Sequence, residues 1–321
     1  MVYIEIDGSL GEGGGQVLRS TLSLSCITGK PVRIYNIRKN RPKPGLMPQH
    51  LTVVTALARI SGADVRGAEP GSREISFAPG PVTAGGYAFD IGTAGSVVLL
   101  LQSLLPPLLF TEEPSRVALT GGTHVPFGPT FDFLREVFFP WMERIGAPVS
   151  CEIERYGFYP RGGGKVTVRI PPAGDIRGID LREKGGVLAV TGRSCVANLP
   201  RSIAERQRDA ALELLAAHSP EIVTEAVPSP GPGTFLFLKV ETEAGCAGFS
   251  ALGAPGKRAE DVGREAAREA LEFIASPAAL DPRLADQLLL YLALSKEPST
   301  FTSSRMTNHL VTHLHVIRRM L

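Results

Sequence analysis

The sequence predicts a mixed α/β (α+β) chain: three repeated units, each of two helices on a small four-stranded sheet, with an inserted smaller α+β domain. Three observations lead there. A strand ending in Asp7-Gly8 runs through a glycine-rich turn into a helix, and Phe89-Asp90-Ile91-Gly92-Thr93-Ala94-Gly95-Ser96 repeats that design ahead of the apolar run 97–105. Gln49-His50-Leu51 opens a helix that has a counterpart in Asn308-His309-Leu310 near the end of the chain. Residues 177–276 break the pattern with strands and two amphipathic helices of their own. The expected division is a discontinuous repeat-built domain, 1–176 and 277–321, around an inserted domain, 177–276.

In the first unit Val2-Tyr3-Ile4-Glu5-Ile6 reads as a short apolar strand. The helix after Gly11-Glu12-Gly13-Gly14-Gly15 stops at Gly29, a C-cap, and sets Gln16, Arg19, Ser20 and Ser23 on one face by their i, i+3, i+4, i+7 spacing. Glycines ahead of a helix leave its N–H groups bare, and with the helix dipole those groups attract anions. A carboxylate (Glu12), an amide (Gln16) and a guanidinium (Arg19) beside them suit a phosphate held through a metal ion. The plain alternative is a tight turn. No Lys-Ser/Thr follows, which excludes a P-loop, and Gln16 stands where a dinucleotide fingerprint needs its third glycine. The helix from Gln49 ends at Arg59-Ile60-Ser61-Gly62, and 63–77 reads as a strand hairpin.

The second unit places Gln102 where the first has Arg19, runs a helix from Pro129 to Arg144, and closes with a hairpin over 148–170. That hairpin turns at Arg161-Gly162-Gly163-Gly164. The third unit has a helix starting at Leu280-Asp281-Pro282, a strand at Thr300-Phe301-Thr302, and a last helix in which Arg318 falls where Arg59 does. Its closing hairpin is missing before Leu321, which raises the expectation of a shortened chain. Inside the insertion, strands are expected at 186–197, 221–227, 234–241 and 248–251, with helices at 201–218 and 259–275.

At 321 residues, 43% hydrophobic and 21% charged, the composition is that of an ordinary globular protein with a sizeable core. A net charge of +2 excludes a uniformly basic nucleic-acid binder, so any RNA contact must come from a local patch. Cys26, Cys151, Cys195 and Cys246 show no metal spacing and read as reduced thiols of a cytoplasmic protein. The run 97–105 is too short to span a bilayer, so no membrane association is expected.

Two further stretches carry chemistry. Arg38-Lys39-Asn40-Arg41-Pro42-Lys43-Pro44-Gly45 sets four positive charges and no acid on a proline-restricted loop, fit to grip phosphates rather than merely to be solvated. His309, His313 and His315 cluster in the last helix. His309 and His313 have the spacing of a zinc pair, but no Glu stands at position 310 and no third ligand suggests itself. A neutral histidine at a helix start can instead attack phosphorus. His50, His124 and His218 read as structural or peripheral.

Gly11-Glu12-Gly13-Gly14-Gly15-Gln16-Val17-Leu18-Arg19, the 38–45 loop, Gly157-Phe158-Tyr159-Pro160-Arg161-Gly162-Gly163-Gly164, Ala285-Asp286-Gln287 and Asn308-His309-Leu310 together resemble the RNA 3′-terminal phosphate cyclase family over essentially the whole chain. The resemblance implies repeats similar to those of enolpyruvyl transferases, and an insertion resembling the C-terminal domain of a translation initiation factor. It implies a ligase that converts an RNA 3′-phosphate to a 2′,3′-cyclic phosphate while ATP becomes AMP and pyrophosphate. His309 would carry AMP as a phosphoramidate. Gln102, Pro129, Arg283, Leu284, Ala285, Asp286 and Gln287 match ATP-contacting positions. Gln16, Arg19, Arg38 and Arg41 match positions that hold phosphates or RNA, and Glu12 would sit by Mg²⁺ or Mn²⁺. A homodimer is compatible with this reading. Arg283 stands where relatives often carry a ring stacked on adenine, a role a guanidinium can also fill. Tyr156 replaces the usual His or Arg. Competing expectations are a non-catalytic ribosome-assembly relative, which would lack the histidine, an enolpyruvyl transferase, and a general RNA-binding module.

Overall fold

The structure is a computed structural model that describes residues 2–321. The first unit runs β1 (Ile4–Asp7), α1 (Gly15–Thr28), β2 (Val32–Tyr35), α2 (Pro48–Ser61), β3 (Asp64–Arg66) and β4 (Ile75–Ala78), in the sheet order β1-β2-β4-β3. β1 and β2 are parallel, with Ile6 opposite Ile34, as a crossover helix requires, and β4 returns antiparallel. The second unit repeats the plan with β5 (Gly86–Asp90), α3 (Val97–Leu109), β6 (Ser115–Gly121), a helical stretch, β7 (Ser150–Arg155) and β8 (Gly164–Ile170), ordered β5-β6-β8-β7. That stretch is α4 (Phe131–Phe133) joined to α5 (Phe139–Arg144) through a π-helical segment, Leu134–Phe138. Thr130, not Pro129, caps it: the Thr130 hydroxyl accepts from the Phe133 N–H at 3.3 Å.

Between β9 (Asp180–Leu181) and the rest of the third unit come β10 (Val187–Ala197), α6 (Arg201–Leu215), β11 (Glu221–Ala226), β12 (Gly233–Thr242), β13 (Gly245–Leu252) and α7 (Ala259–Ala275). The third unit then resumes with α8 (Pro282–Ala293), β14 (Thr300–Phe301) and α9 (Asn308–Met320). β9 pairs parallel with β14, as β1 pairs with β2 and β5 with β6. Residues 180–181, inside the stretch expected to belong to the insertion, are therefore the opening strand of the third unit's sheet. Among the described residues that sheet has two strands, β14 and β9.

The inserted sheet is ordered β11-β10-β12-β13, and its central strand β12 is buried on both faces. Along β12, Leu236, Leu238 and Val240 face a core shared with α6 and α7 residues such as Ala211, Val262, Ala266 and Phe273. The alternate residues Phe235 and Phe237 join the main core, with Cys195 and Ala197 from β10. The insertion thus packs onto the repeats with an apolar face. In the repeats α1 is central and packs against α2, α3 and α9. Leu18, Leu22 and Leu24 supply its apolar side, and it ends in the left-handed Gly29 at φ 67°. The other side of α1, its first two turns, is where the cleft lies.

Candidate active site

A cleft of about 830 Å³ opens between the starts of α1, α2, α8 and α9, the 125–130 loop, α3, and the β13–α7 connection of the insertion. Its size is in the usual range for small-ligand sites. The predicted face of α1 lines it with all four residues, Gln16, Arg19, Ser20 and Ser23. Their backbone is held close by glycine. A Cβ on Gly15 would come within 2.5 Å of His50 Nε2 and 2.8 Å of an Arg19 nitrogen, so only glycine lets α1 and α2 meet here.

Glu12, Arg38, Arg41, Gln102, Pro129, Arg283, Asp286, Gln287 and His309 also line the cleft. Leu284 and Ala285 do not; both are wholly buried in the core, on the inner side of α8. Asp281 caps that helix, accepting from the Arg283 and Leu284 N–H groups at 2.9 and 3.0 Å. It thereby fixes the turn that presents Arg283, Asp286 and Gln287.

One hydrogen-bonded chain organises the floor. His309 Nδ1 lies 2.7 Å from Gln16 Oε1, and Gln16 Nε2 donates to Asp286 Oδ1 at 2.7 Å. Because the carboxylate takes the NH₂ end of Gln16, the amide oxygen must face His309, and Nδ1 carries the hydrogen. His309 Nε2 is left facing Glu12 Oε2 at 3.1 Å, with the ring half-exposed to the cleft. Glu12 also pairs with Arg41 at 3.3 Å. His313 Nδ1 approaches Asp286 through both its carbonyl, 3.0 Å, and its carboxylate, 3.2 Å.

His50 is the repeat counterpart of His309, and its environment is opposite. It is buried, and its Nδ1 accepts the Met47 N–H at 3.2 Å, so Nε2 holds the hydrogen and no lone pair is free. Burial, with Arg19 and Arg38 nearby, pulls its pKa down to about 3. Burial also lowers Arg19 to about 10, with Asp286 opposing, so this guanidinium stays charged at neutral pH. Arg38 sits at φ 54°, and its guanidinium donates to the Lys43 and Gly45 carbonyls at 2.7 and 2.9 Å, which shapes the basic loop.

Four buried polar atoms on cleft-lining side chains have no partner in the protein: Gln102 Nε2, Gln287 Oε1, Tyr291 OH and His313 Nε2. Such groups are rarely left unpaired, and a polar ligand would satisfy them. No group of three or more His, Cys, Asp or Glu side chains able to hold a metal occurs among the described residues, and His309 and His313 are engaged by Gln16 and Asp286. His124 is buried against Asp132 at 2.9 Å, away from the cleft, and His315 is exposed.

The insertion was without an assigned role in the sequence, yet Ser250, Leu252, Lys257 and Glu265 line the cleft. Lys257 Nζ bonds Glu265 at 2.5 Å, and the Arg283 fork grips Glu269 of α7 at 2.8 and 3.0 Å. No motif marks these residues; only the packing of the inserted sheet on the repeats brings them here.

A family model described as RNA 3'-terminal phosphate cyclase matches residues 10–321. A protein of Koribacter versatilis named RNA 3'-terminal phosphate cyclase is 47% identical over 320 residues, covering 99% of this chain and 90% of that protein. Proteins of the same name from Pyrobaculum neutrophilum and Ralstonia nicotianae are 44% and 45% identical over 322 residues, each covering 99% of this chain and 93% and 91% of those proteins. Among the described residues no helix is long and apolar enough to cross a membrane.

Proposed function

The chain belongs to the RNA 3′-terminal phosphate cyclase family, and we propose that it closes RNA 3′-phosphate ends to 2′,3′-cyclic phosphates at the expense of ATP, through a histidine-AMP intermediate on His309. The observation that carries this reading is the 2.7 Å bond from His309 Nδ1 to Gln16 Oε1. It holds the ring in the tautomer whose Nε2 faces the cleft, while the matching His50 has its lone pair tied to the backbone.

In the first step the Nε2 lone pair, left free by the Nδ1–H tautomer, attacks the α-phosphorus of ATP. The P–N bond forms as the P–O bond to the β-phosphate breaks, and pyrophosphate leaves. Gln16 keeps the Nδ1 hydrogen in place while positive charge develops on the ring, and Asp286, behind the Gln16 amide, polarises it in the same sense. An oxygen of the RNA 3′-phosphate then attacks the same phosphorus, breaking the P–N bond and restoring His309. Finally the neighbouring 2′-hydroxyl attacks the 3′-phosphorus, loses its proton, and displaces AMP. In this reading Arg19 and Arg41 hold the RNA 3′-phosphate. Gln102, Pro129, Arg283 and Gln287 contact the nucleoside of ATP in the same reading, which the unpartnered Gln102 Nε2 and Gln287 Oε1 in the cleft support. Glu12, a cleft carboxylate at the anion-binding start of α1, would hold a Mg²⁺ or Mn²⁺ ion, which would supply neutralising charge to the triphosphate.

Mass spectrometry after incubation with ATP and Mg²⁺, without RNA, tests the reading. AMP should appear on a peptide containing His309, in a linkage labile to acid and stable to alkali. His309→Ala should abolish labelling and cyclisation, and His50→Gln should still be labelled at His309. A label on His50, or an undiminished label in His309→Ala, would overturn the mechanism.

A further inference from the structure

We propose that the RNA strand leaves the cleft across an aromatic, basic rim, where Phe127 and Tyr159 stack on its 3′-terminal nucleobases. The proposal deepens the cyclase reading and rests on it. Phe127 lines the cleft, yet its side chain is fully exposed at 103% of its reference surface. Its backbone is at φ 66°, in the left-handed region that a bulky residue rarely enters. Neither packing nor backbone preference accounts for an aromatic ring there, and strain of this kind concentrates where ligands are held.

Tyr159 is the second exposed ring, at 69%. Its hairpin, 157–164, is sewn onto the loop that carries Phe127. The Thr123 and His124 N–H groups donate to the Gly157 carbonyl at 2.9 and 3.1 Å, and the Gly157 N–H donates to Thr123 Oγ1 at 3.0 Å. Phe158 is buried against His124, 5.7 Å between ring centroids, so the hairpin is anchored by one ring and presents the next to solvent. The far side of the hairpin rests on the 93–95 turn, where a Cβ on Gly162 would come within 2.8 Å of Ala94 Cα. The same turn touches Gln49 in the cleft, since a Cβ on Gly95 would meet Gln49 Cβ at 3.0 Å. The rim is thus continuous with the phosphate end of the site. Arg161 on this hairpin is exposed and joins no ion pair among the described residues, and Arg155 just before it, also exposed, donates from Nε to the Gly163 carbonyl at 2.7 Å.

Exposed rings interleaved with exposed guanidinium groups are what a single strand needs. Every base has a face to stack, every linkage carries a charge, and neither contact demands a particular sequence. A nucleobase stacked on each ring also explains why two aromatics remain uncovered beside a cleft rich in arginine.

The test uses a decamer RNA with a 3′-phosphate and 2-aminopurine as its last base, whose fluorescence falls on stacking. Binding to the wild-type protein should quench it, and Phe127→Ala should restore most of the emission. Phe127→Ala and Tyr159→Ala should each raise KM for the decamer about five- to tenfold, the loss of one stacked base. Tyr159→Phe should recover wild-type KM, and KM for ATP should move much less than KM for RNA. Both rings are exposed, so neither change should unfold the protein. Unchanged quenching and KM in both alanine variants would overturn the proposal, as would a Phe127→Ala effect confined to ATP. Quenching without any cyclisation by the wild-type protein would sink the cyclase reading and leave the stacking rim standing.

Discussion

His309 and His50 stand at matching helix starts, yet their rings are fixed in opposite tautomers. Gln16 takes the Nδ1 hydrogen of His309, while the Met47 N–H occupies Nδ1 of His50. The difference has a thermodynamic consequence. The His50 pKa is pulled to about 3 in the folded protein by burial and by Arg19 and Arg38. In the unfolded chain it is roughly 6.5. As pH falls below that value the unfolded state binds a proton that the native state refuses, so stability is lost from near pH 6.5 down towards pH 3. At pH 5 this one group should destabilise the protein by about 2 kcal/mol relative to pH 7.5. Urea unfolding at both pH values checks it: His50→Gln should lose about 2 kcal/mol less on acidification than the wild type. Equal losses would mean that His50 is not held neutral.

At the scale of elements, α9 carries His309 and is held by contacts at both ends and along one face. Val316, Ile317 and Met320 enter the main core, α9 packs on α1 and α8, and Lys30 Nζ donates to the Met320 carbonyl at 2.9 Å. Thr307 caps the opposite end, accepting from the Leu310 N–H at 3.1 Å. The helix is therefore tied at both ends and along one face. We expect its central amides to exchange as slowly as those of α2. Lys30→Ala removes one side-chain contact to a terminal carbonyl, worth about 1 kcal/mol. Hydrogen exchange of the last turn of α9 should then speed up roughly fivefold, with the turn at His309 unaffected. An acceleration spread along the whole helix would show that Lys30 supports more than the terminus.

At the scale of the molecule, the site is shared between all three units and the insertion. Gln16, Gln102 and His309 come from the three units, and Lys257 and Glu265 from the inserted domain. The bidentate Arg283–Glu269 pair ties α8 to α7 across that junction. A nucleotide in the cleft should stabilise both parts together, by about 2.7 kcal/mol at a concentration 100 times its Kd. With a non-hydrolysable ATP analogue, hydrogen exchange should slow at 252–257 in the insertion as well as at 12–20. Protection limited to the repeats would mean that the insertion borders the cleft without contacting the nucleotide.

Local chemistry made much of this legible from the chain alone. Period and punctuation marked the helices ending at Gly29 and Gly62, and the i, i+3, i+4, i+7 spacing put Gln16, Arg19, Ser20 and Ser23 on the face that lines the cleft. The internal repeat announced the opening strands of the first two units, ahead of α1 and α3, but not that of the third. β9 is two residues long and stands a whole insertion away from its helix, so neither length nor proximity betrays it. Leu284 and Ala285 sit in the α8 segment that reaches the cleft, but helical geometry turns them inward, a distinction that contiguous matching along a chain cannot make. The tautomer of His309, the burial of His50, and the arrival of Lys257, Glu265 and Glu269 at the site were decided only by tertiary structure. Each depends on partners distant along the chain or on the depth of burial, and neither is a property of a local run of residues.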